Sequence, residues 1–579
     1  MKNIYILGIN AYHGDSAACV FKDGKLIAAI EEERLRRVKH WAGFPSESIK
    51  FCLDECGISI QDVDYVTISR DPSANIYKKI THSFKSFVSF KILKDRLKNT
   101  KKVVSIKQEL SSIFDISEEE IKAEFYNIEH HRSHMASAFF ASPFSESAIL
   151  SIDGFGDFTS TMIGAGKGDK IEVLDSVIYP HSVGVFYTAF TQYLGFEHYG
   201  DEYKVMGLSP YGKPTLMDKV RDVLIFKNNG LFEINKKYFK HPKEGVSMSW
   251  ENGDPFIENI YSDYMVKVFG RARLKNEEIT QFHKDLASSI QRVTEELIFH
   301  ILNHLQKKTG SKNICIAGGV AQNSVANGKI LDNTSFEKMY IPPATHDAGT
   351  AIGSVLWLYN HIQGNDRIES QKHSYFGAKF SDDEVEGFCK ENGISYNRYD
   401  DDELLEVVTD QLINAGVIGW FQGRAEFGPR ALGHRSIICD PTRDDAKELI
   451  NSKIKRREPF RPFAPSILKE FVGEYFEKTY DVPFMEKVFQ FKEDKKKKFQ
   501  AVVHIDGSGR LQSVDKDIEP KYYNLIKKFY DKTGVPILLN TSFNENEPIV
   551  NTPAEAYDCF ARTSMDMVVM GNVVVTERS

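Results

Sequence analysis

The segment Glu129-His130-His131-Arg132-Ser133-His134-Met135-Ala136-Ser137-Ala138-Phe139 sets two histidines four residues apart. On a helix, His130 and His134 lie one turn apart on one face, close enough to bind one divalent ion. A zinc peptidase would carry a glutamate directly after the first histidine as its general base. His131 stands there instead, so the peptidase reading loses its base. An isolated pair of this spacing is weak by itself and gains weight only if oxygen ligands arrive from elsewhere. Asp153 and Asp347 are the candidates, each at a strand end just before a glycine-containing turn; the competing reading makes each a structural turn residue. Two imidazoles with two carboxylates suit Fe²⁺, Zn²⁺ or Mn²⁺. His131 replaces a neighbour as ligand if the helix register differs by one residue.

Two further turns have residue types suited to phosphate. Gly318-Gly319, before Val320-Ala321-Gln322-Asn323, would let a nucleotide approach the backbone, although any strand-to-helix turn can use such a pair. The turn from Asn10 to Asp15 contains His13, a general base or hydrogen-bond donor near neutral pH, or simply a solvent-exposed turn residue. The densest charge pattern comes later: Arg424, Arg430, Arg435, Arg443, Arg456, Arg457 and Arg461, with Lys447, Lys453 and Lys455 among them. Arginines wedged between Gly, Pro and Phe do not make an ordinary solvated face. Rigid guanidinium forks in such turns match phosphate oxygens two at a time. Arg510 and the Asn540-Thr541-Ser542 strand end complete a polyanion pocket.

The elements that must position these residues are legible as an α/β pattern. Residues 3 to 30 read as three strands with a Lys22-Asp23-Gly24-Lys25 hairpin turn. Residues 148 to 175 repeat that order, with Asn10 opposite Asp153 and Gly14 opposite Asp157. Leu286, Ile290, Val293, Leu297, Ile301 and Leu305 form one face of a long helix, followed by a short buried strand over 313 to 317. Strands that end in such turns and feed helices bring ligand groups to the carboxyl edge of a sheet. Residues 358 to 380 lose this patterning and read as a linker. A second α/β domain follows, with helices over 403 to 415 and 522 to 532 and strands over 417 to 421 and 535 to 539. Lys495 to Lys498 reads as a solvated loop, and Lys78 to Lys107 as an exposed helix pair.

The chain has 579 residues, 41% apolar and 27% charged, enough for about four ordinary domains or two large ones. A net charge of −7 disfavours a life on nucleic-acid backbones. No apolar run reaches about 18 residues, the polar turn after the first nine residues is not the pattern expected of a secretory leader, and seven scattered cysteines lack paired CxxC spacing. A cytoplasmic protein with reduced thiols is expected, without membrane or nucleic-acid partners, and a homodimer is the default assembly.

Taken together, GINAYHGDSAACVFKDGKLIAAIEEER, HHRSHMASAF, EYKVMGLSPYG, IAGGVAQNSVANGKI, HDAGTAIG, GWFQGRAEFGPRALGHRSI, KRREPFRPFAPS, HIDGSGRLQSV and NTSFNENEPIV span residues 6 to 550. In that order they resemble the O-carbamoyltransferases of the nodulation and antibiotic type. The resemblance implies an actin-like ATPase domain, a duplicated RNase H-like unit similar to the tRNA threonylcarbamoyl transferase, over residues 1–357. A linker over 358–380 then leads to an α/β domain over 381–579, similar to the threonylcarbamoyl-adenylate synthase. It further implies that carbamoyl phosphate and ATP, with Mg²⁺, give carbamoyl-adenylate in the second domain. Arg430, Lys455, Arg461, Arg510, Asn540 and Ser542 would make the contacts there, with Arg424 a weaker candidate. In the first domain, His130, His134, Asp153 and Asp347 would hold a divalent metal, Fe²⁺ first with Zn²⁺ or Mn²⁺ as alternatives. Gly318, Gly319 and Asn323 would lie along the nucleotide, His13 would help deprotonate an acceptor hydroxyl, and Lys204 is a weaker candidate. The acceptor would be a hydroxyl of a small molecule or glycan. His434 and Ser209 receive no role. The competing readings are a tRNA threonylcarbamoyl-type enzyme, which the net charge disfavours, and an ATP-binding actin-like scaffold, which leaves the arginines unexplained.

Overall fold

A computed structural model of the chain describes residues 3–76, 78–79, 106–246, 248–367 and 369–578, so most of the basic stretch from Lys78 to Lys107 lies outside the described residues. The chain divides into two compact units, Met1–Gln371 and Lys372–Ser579.

The first unit is built on two five-stranded sheets. One contains β1 (Tyr5–Asn10), β2 (Ala17–Lys22), β3 (Lys25–Glu31), β4 (Tyr65–Ile68) and β5 (Glu124–Asn127) in the order β3-β2-β1-β4-β5. The other contains β6 (Glu146–Gly156), β7 (Thr159–Lys167), β8 (Lys170–Ile178), β9 (Asn313–Ala317) and β10 (Lys338–Tyr340) in the order β10-β9-β6-β7-β8. Each sheet is an antiparallel meander whose first strand pairs in parallel with one later strand, which in turn pairs in parallel with another. The repeated sequence pattern is therefore a repeated topology, that of an actin-like fold. Asp23 and Gly24 take φ of +50° and +78°, as an Asp-Gly two-residue hairpin requires.

The strand repeat is not perfect, and its defect matters. β6 pairs regularly with β7 up to Ile152, then slips before Gly156 meets Thr159. The slip releases Asp153, Gly154 and Phe155 from regular pairing and re-aims them, as bulges do beside functional sites. The helix Gln281–Thr309 buries Leu286, Ile290, Val293, Leu297, Ile301 and Leu305 and ends on left-handed Gly310. A shorter helix, His130–Phe139, is buried around most of its circumference; Glu129 at its N-cap accepts from the Arg132 N–H.

The segment expected to be a linker belongs partly to the first unit. Trp357–Ile362 continues the helix Gly349–Leu356 as a π-helical turn. Arg367 then donates to the carbonyls of Phe139, Phe144 and Ser142.

The second unit has one eight-stranded mixed sheet. Its central strands are Ile418–Phe421, Arg435–Cys439, Ile537–Ser542 and Ala464–Leu468. The helices Asp401–Ile413 and Pro520–Thr533 contribute Leu404, Val408, Leu412, Leu525, Ile526 and Phe529 to its core. Asn540 to Ser542 lie inside the strand, paired with Ile438, Ile437 and Ser436 rather than beyond its end. Residues Glu493–Lys496 wind into one exposed helical turn where a loop was expected. Among the described residues, no helix is long and apolar enough to cross a membrane.

Candidate functional site

The first unit brings His130, His134, Asp153 and Asp347 together, all buried, with one donor atom from each within 4.8 Å of the others. The helix supplies both imidazoles from one face, the bulge in β6 supplies Asp153, and Asp347 precedes the helix Gly349–Leu356. His130 Nε2 lies 3.3 Å from Asp153 Oδ2 and 3.4 Å from Asp347 Oδ1; His134 Nε2 repeats both distances, and the two nitrogens are 3.1 Å apart. A tetrahedral ion bound at about 2.0–2.2 Å would separate its ligands by about 3.3–3.6 Å, close to these spacings. Asp347 Oδ1 is buried without a hydrogen bond among the described residues. Donor set, spacing and orphaned oxygen all fit a divalent cation.

The surroundings fix each ligand. Asp153 Oδ1 accepts from the Gly319 N–H at 3.0 Å, leaving Oδ2 for the cage. Asp347 Oδ2 meets His13 Nδ1, and His13 Nε2 sits 3.2 Å from the Phe155 carbonyl. His130 packs so tightly on β6 that a Cβ on Gly156 would lie 2.0 Å from its Cδ2. Burial opposes charge on Asp153 and Asp347, and their mutual repulsion adds to it. The facing histidines nevertheless hold both carboxyls below the usual range, while the aspartates hold the His130 imidazole well above its own. His131, by contrast, is pushed down to about 3 by burial and by His130 and His134. Both its nitrogens are engaged, with Ser151 Oγ and the Thr159 carbonyl, so it is not a substitute ligand.

Several expected contacts take other roles. His13 is turned with Nδ1 toward Asp347 Oδ2 and Nε2 toward the Phe155 carbonyl, beside the cage. The Gly318 N–H binds the Thr345 carbonyl, so the glycine pair spends its N–H groups inside the protein. Gly318, at φ +105°, also presses on the Ile152 carbonyl, which a Cβ would approach to 2.1 Å. Asn323 exchanges hydrogen bonds with Gln291 and caps Ala326, which commits its side chain to the fold rather than to a nucleotide. Lys204 pairs with Asp201 at 3.0 Å.

The second unit sorts its arginines. Arg435 is wholly buried, donates to the carbonyls of Gln422, Gly423 and Ala378, and stacks on Phe421, so it is a structural residue. Arg443 pairs with Asp445, and Arg456 with Glu545. Arg424 donates to the Phe376 carbonyl. Arg430, Arg457 and Arg461 act on the charge of Arg510, while Arg457 also donates to Asn451 Oδ1 and stacks on Phe463. Burial and those three neighbouring guanidinium groups push Arg510 well below its ordinary pKa, and its buried Nε has no hydrogen-bond partner among the described residues. Like charges gathered in this way call for an anion. Arg461 has a partial counter-charge in Glu458, 3.6 Å away.

Lys455 is buried and donates to the Ser542 carbonyl and hydroxyl and to both oxygens of Asn544. Asn540 donates to the Ala431 carbonyl, Ser466 Oγ and Gln512 Oε1, while its own Oδ1 is buried without a partner. Sequence reasoning missed Glu426, whose Oε1 accepts from the N–H groups of Leu432, His434 and Arg435 and so shapes the loop that carries Arg430. It also gave no role to His434, which bridges the Arg424 carbonyl and Glu519 and stacks on Tyr375 at 3.8 Å. A lone Glu or His between glycines carries no periodic signal.

Comparison with known proteins follows the same division. Residues 5–356 match the carbamoyltransferase N-terminus family, and residues 409–577 match the carbamoyltransferase C-terminus family. An uncharacterized protein of Synechocystis is 39% identical, over 99% of this chain and 97% of its own length. Nodulation protein NolNO of Sinorhizobium fredii is 36% identical, over 98% of this chain and 80% of its own. Among solved structures, (R)-2-hydroxyglutaryl-CoA dehydratase component A of Acidaminococcus fermentans aligns with 61% of this chain and 97% of its own, at 15% identity and a TM-score of 0.31.

Proposed function

The chain belongs to the carbamoyltransferase family, and from that premise we propose that it is an ATP-dependent O-carbamoyltransferase acting through carbamoyl-adenylate. In the second unit, water hydrolyses carbamoyl phosphate to carbamate and phosphate, and the carbamate oxygen attacks the α-phosphorus of ATP. Pyrophosphate leaves, and the carbamoyl carbon now carries AMP as a good leaving group. The observation that carries this reading is the action of Arg430, Arg457 and Arg461 on Arg510, whose buried Nε has no hydrogen-bond partner among the described residues. Such preorganised cations stabilise the charge that develops on transferring phosphoryl groups. Lys455, held by Ser542 and Asn544 at the end of the strand Ile537–Ser542, would exchange those acceptors for substrate oxygen.

In the first unit, an acceptor hydroxyl takes the carbamoyl group and AMP departs. His130, His134, Asp153 and Asp347 would hold the divalent ion, Fe²⁺, Zn²⁺ or Mn²⁺. When bound, that ion supplies a Lewis acid for the carbamoyl carbonyl. Gly319 and His13 keep the two aspartates turned toward it. Mg²⁺ accompanies ATP, and the acceptor is a small-molecule or glycan hydroxyl.

The test is to incubate the protein with ATP, carbamoyl phosphate, or both. Pyrophosphate and then AMP appear only when both are present. ADP release, or pyrophosphate without carbamoyl phosphate, refutes the route.

A further inference from the structure

Asp15 and His40 form a second polar cluster in the first unit that the metal centre does not use. The turn from Asn10 to Ser16 is clamped by Asn10 Nδ2, which donates to the Gly14 and Asp15 carbonyls, and by Tyr12 N–H and Ser16 N–H, which donate to the carbonyls of Gly43 and Trp41. This places Asp15 Oδ1 2.7 Å from His40 Nδ1. The His40 N–H is itself held by Glu33 Oε2 at 2.8 Å. Asp15 and His40 both take left-handed φ, +56° and +53°, a strained conformation for residues with side chains and one retained where geometry matters.

Asp15, Glu33 and His40 also meet the spacing for an ion. The 2.7 Å contact, however, is a hydrogen bond, shorter than the ligand separations of the His130–Asp347 cage. A carboxylate on Nδ1 fixes the tautomer and leaves Nε2 as the working nitrogen, the arrangement of Asp and His in serine hydrolases. No protein group takes His40 Nε2 among the described residues; the side chain is 32% exposed, and Gly200 leaves space beside it that a Cβ would narrow to 2.4 Å. The Tyr199 ring stands edge-on to His40 at 5.3 Å, and its hydroxyl is under the influence of Asp347 and Asp153 as well as Asp15. Asp15 also shares its turn with His13, which meets Asp347 Oδ2, so the pair stands on the turn that touches the metal centre.

We propose that His40, oriented by Asp15, is the general base that takes the proton from the acceptor hydroxyl. This rests on the carbamoyl-adenylate reading above. The O–H proton passes to His40 Nε2 as the hydroxyl oxygen bonds to the carbamoyl carbon. The bond from that carbon to the AMP oxygen breaks, AMP leaves with the electron pair, and His40 returns its proton to water. The role expected of His13 thus passes to a residue with an open nitrogen.

Burial lowers the basicity of His40, Asp15 and Glu33 raise it, and Lys39 opposes them, for a net value of about 9. Glu202, His346, Asp347 and Tyr199 are further ionisable groups facing this pair. Transfer should accordingly climb with pH toward that value. Asp15→Asn should move the midpoint down toward the ordinary imidazole value of about 6.5.

The experiment supplies carbamoyl-adenylate to metal-loaded protein and follows protein-dependent AMP release to water and to hydroxylamine, which is largely unprotonated at neutral pH and needs no base. His40→Gln should slow release to water by about 10²–10⁴-fold while release to hydroxylamine falls far less. Pyrophosphate formation from ATP and carbamoyl phosphate should be unchanged, and the retained release to hydroxylamine shows that the first unit of the variant is folded. Equal loss with both nucleophiles, or no loss, overturns the assignment, as does an Asp15→Asn profile with an unmoved midpoint. Wild-type protein that releases no AMP from carbamoyl-adenylate overturns the underlying reading, and the role of His40 with it.

Discussion

Replacing Gly156 by alanine tests the metal cage without touching a ligand. The new Cβ would stand 2.0 Å from His130 Cδ2 and 2.2 Å from its Cγ, whereas such contacts essentially never fall below 3.0 Å. The imidazole must therefore move by at least about 1 Å, several times the roughly 0.2 Å tolerance of a metal–ligand bond. His130 cannot retreat easily, because its backbone N–H is bound to Asp157 Oδ2 at 3.0 Å and its helix is buried. Changing a group that merely supports a ligand costs about 10–100-fold in metal affinity, so displacing a ligand outright should cost about 100-fold or more, about 2.7 kcal/mol. Equilibrium dialysis against Zn²⁺ or Mn²⁺ measures this, with circular dichroism to confirm the fold. An alanine variant that binds the ion as tightly as wild type, with unchanged helix content, would refute the proposed cage.

Arg510→Ala should abolish pyrophosphate release from ATP and carbamoyl phosphate yet leave AMP release from supplied carbamoyl-adenylate intact; His130→Ala should do the reverse, and paired assays of the two half-reactions decide it. Glu426→Ala leaves three buried N–H groups without their acceptor and should lower stability by about 3 kcal/mol, read by urea denaturation of the whole chain. Chelation of the cage ion with Mg²⁺ kept in excess should stop transfer but not adenylate formation. Metal affinity should weaken as pH falls, because Asp153 and Asp347 raise the proton affinity of His130 and the ion must displace that proton; calorimetric titration in buffers of differing ionisation enthalpy counts the protons released.

The parts legible in the sequence are those written in local periodicity. The Asp-Gly hairpin and two alternating strand sets disclosed the duplicated meander, and the four-residue spacing of His130 and His134 disclosed half of the cage. Asp153 was found from its place after an apolar strand, but the bulge that aims it leaves no compositional trace. Asp15 and His40 are distant in sequence and meet through left-handed residues of two turns, which no spacing rule encodes. Arg435 shows the converse error. Its neighbours suggested phosphate, but its two terminal nitrogens are bound by carbonyls of its own fold, whereas Arg510 faces other guanidinium groups. Gly318, Gly319 and Asn323 likewise had the right composition for a nucleotide turn while their polar groups were needed to hold Asp153, Thr345 and Gln291.

The cage draws its imidazoles from the helix that follows the first sheet and its carboxylates from the end of β6 and the segment after β10. His13, from the first meander, reaches across to the Phe155 carbonyl of the second. An ion seated there is thus a clasp between the two copies of the ancestral repeat. Any motion that parted the two copies would have to strain that clasp, so binding of the ion would oppose their separation.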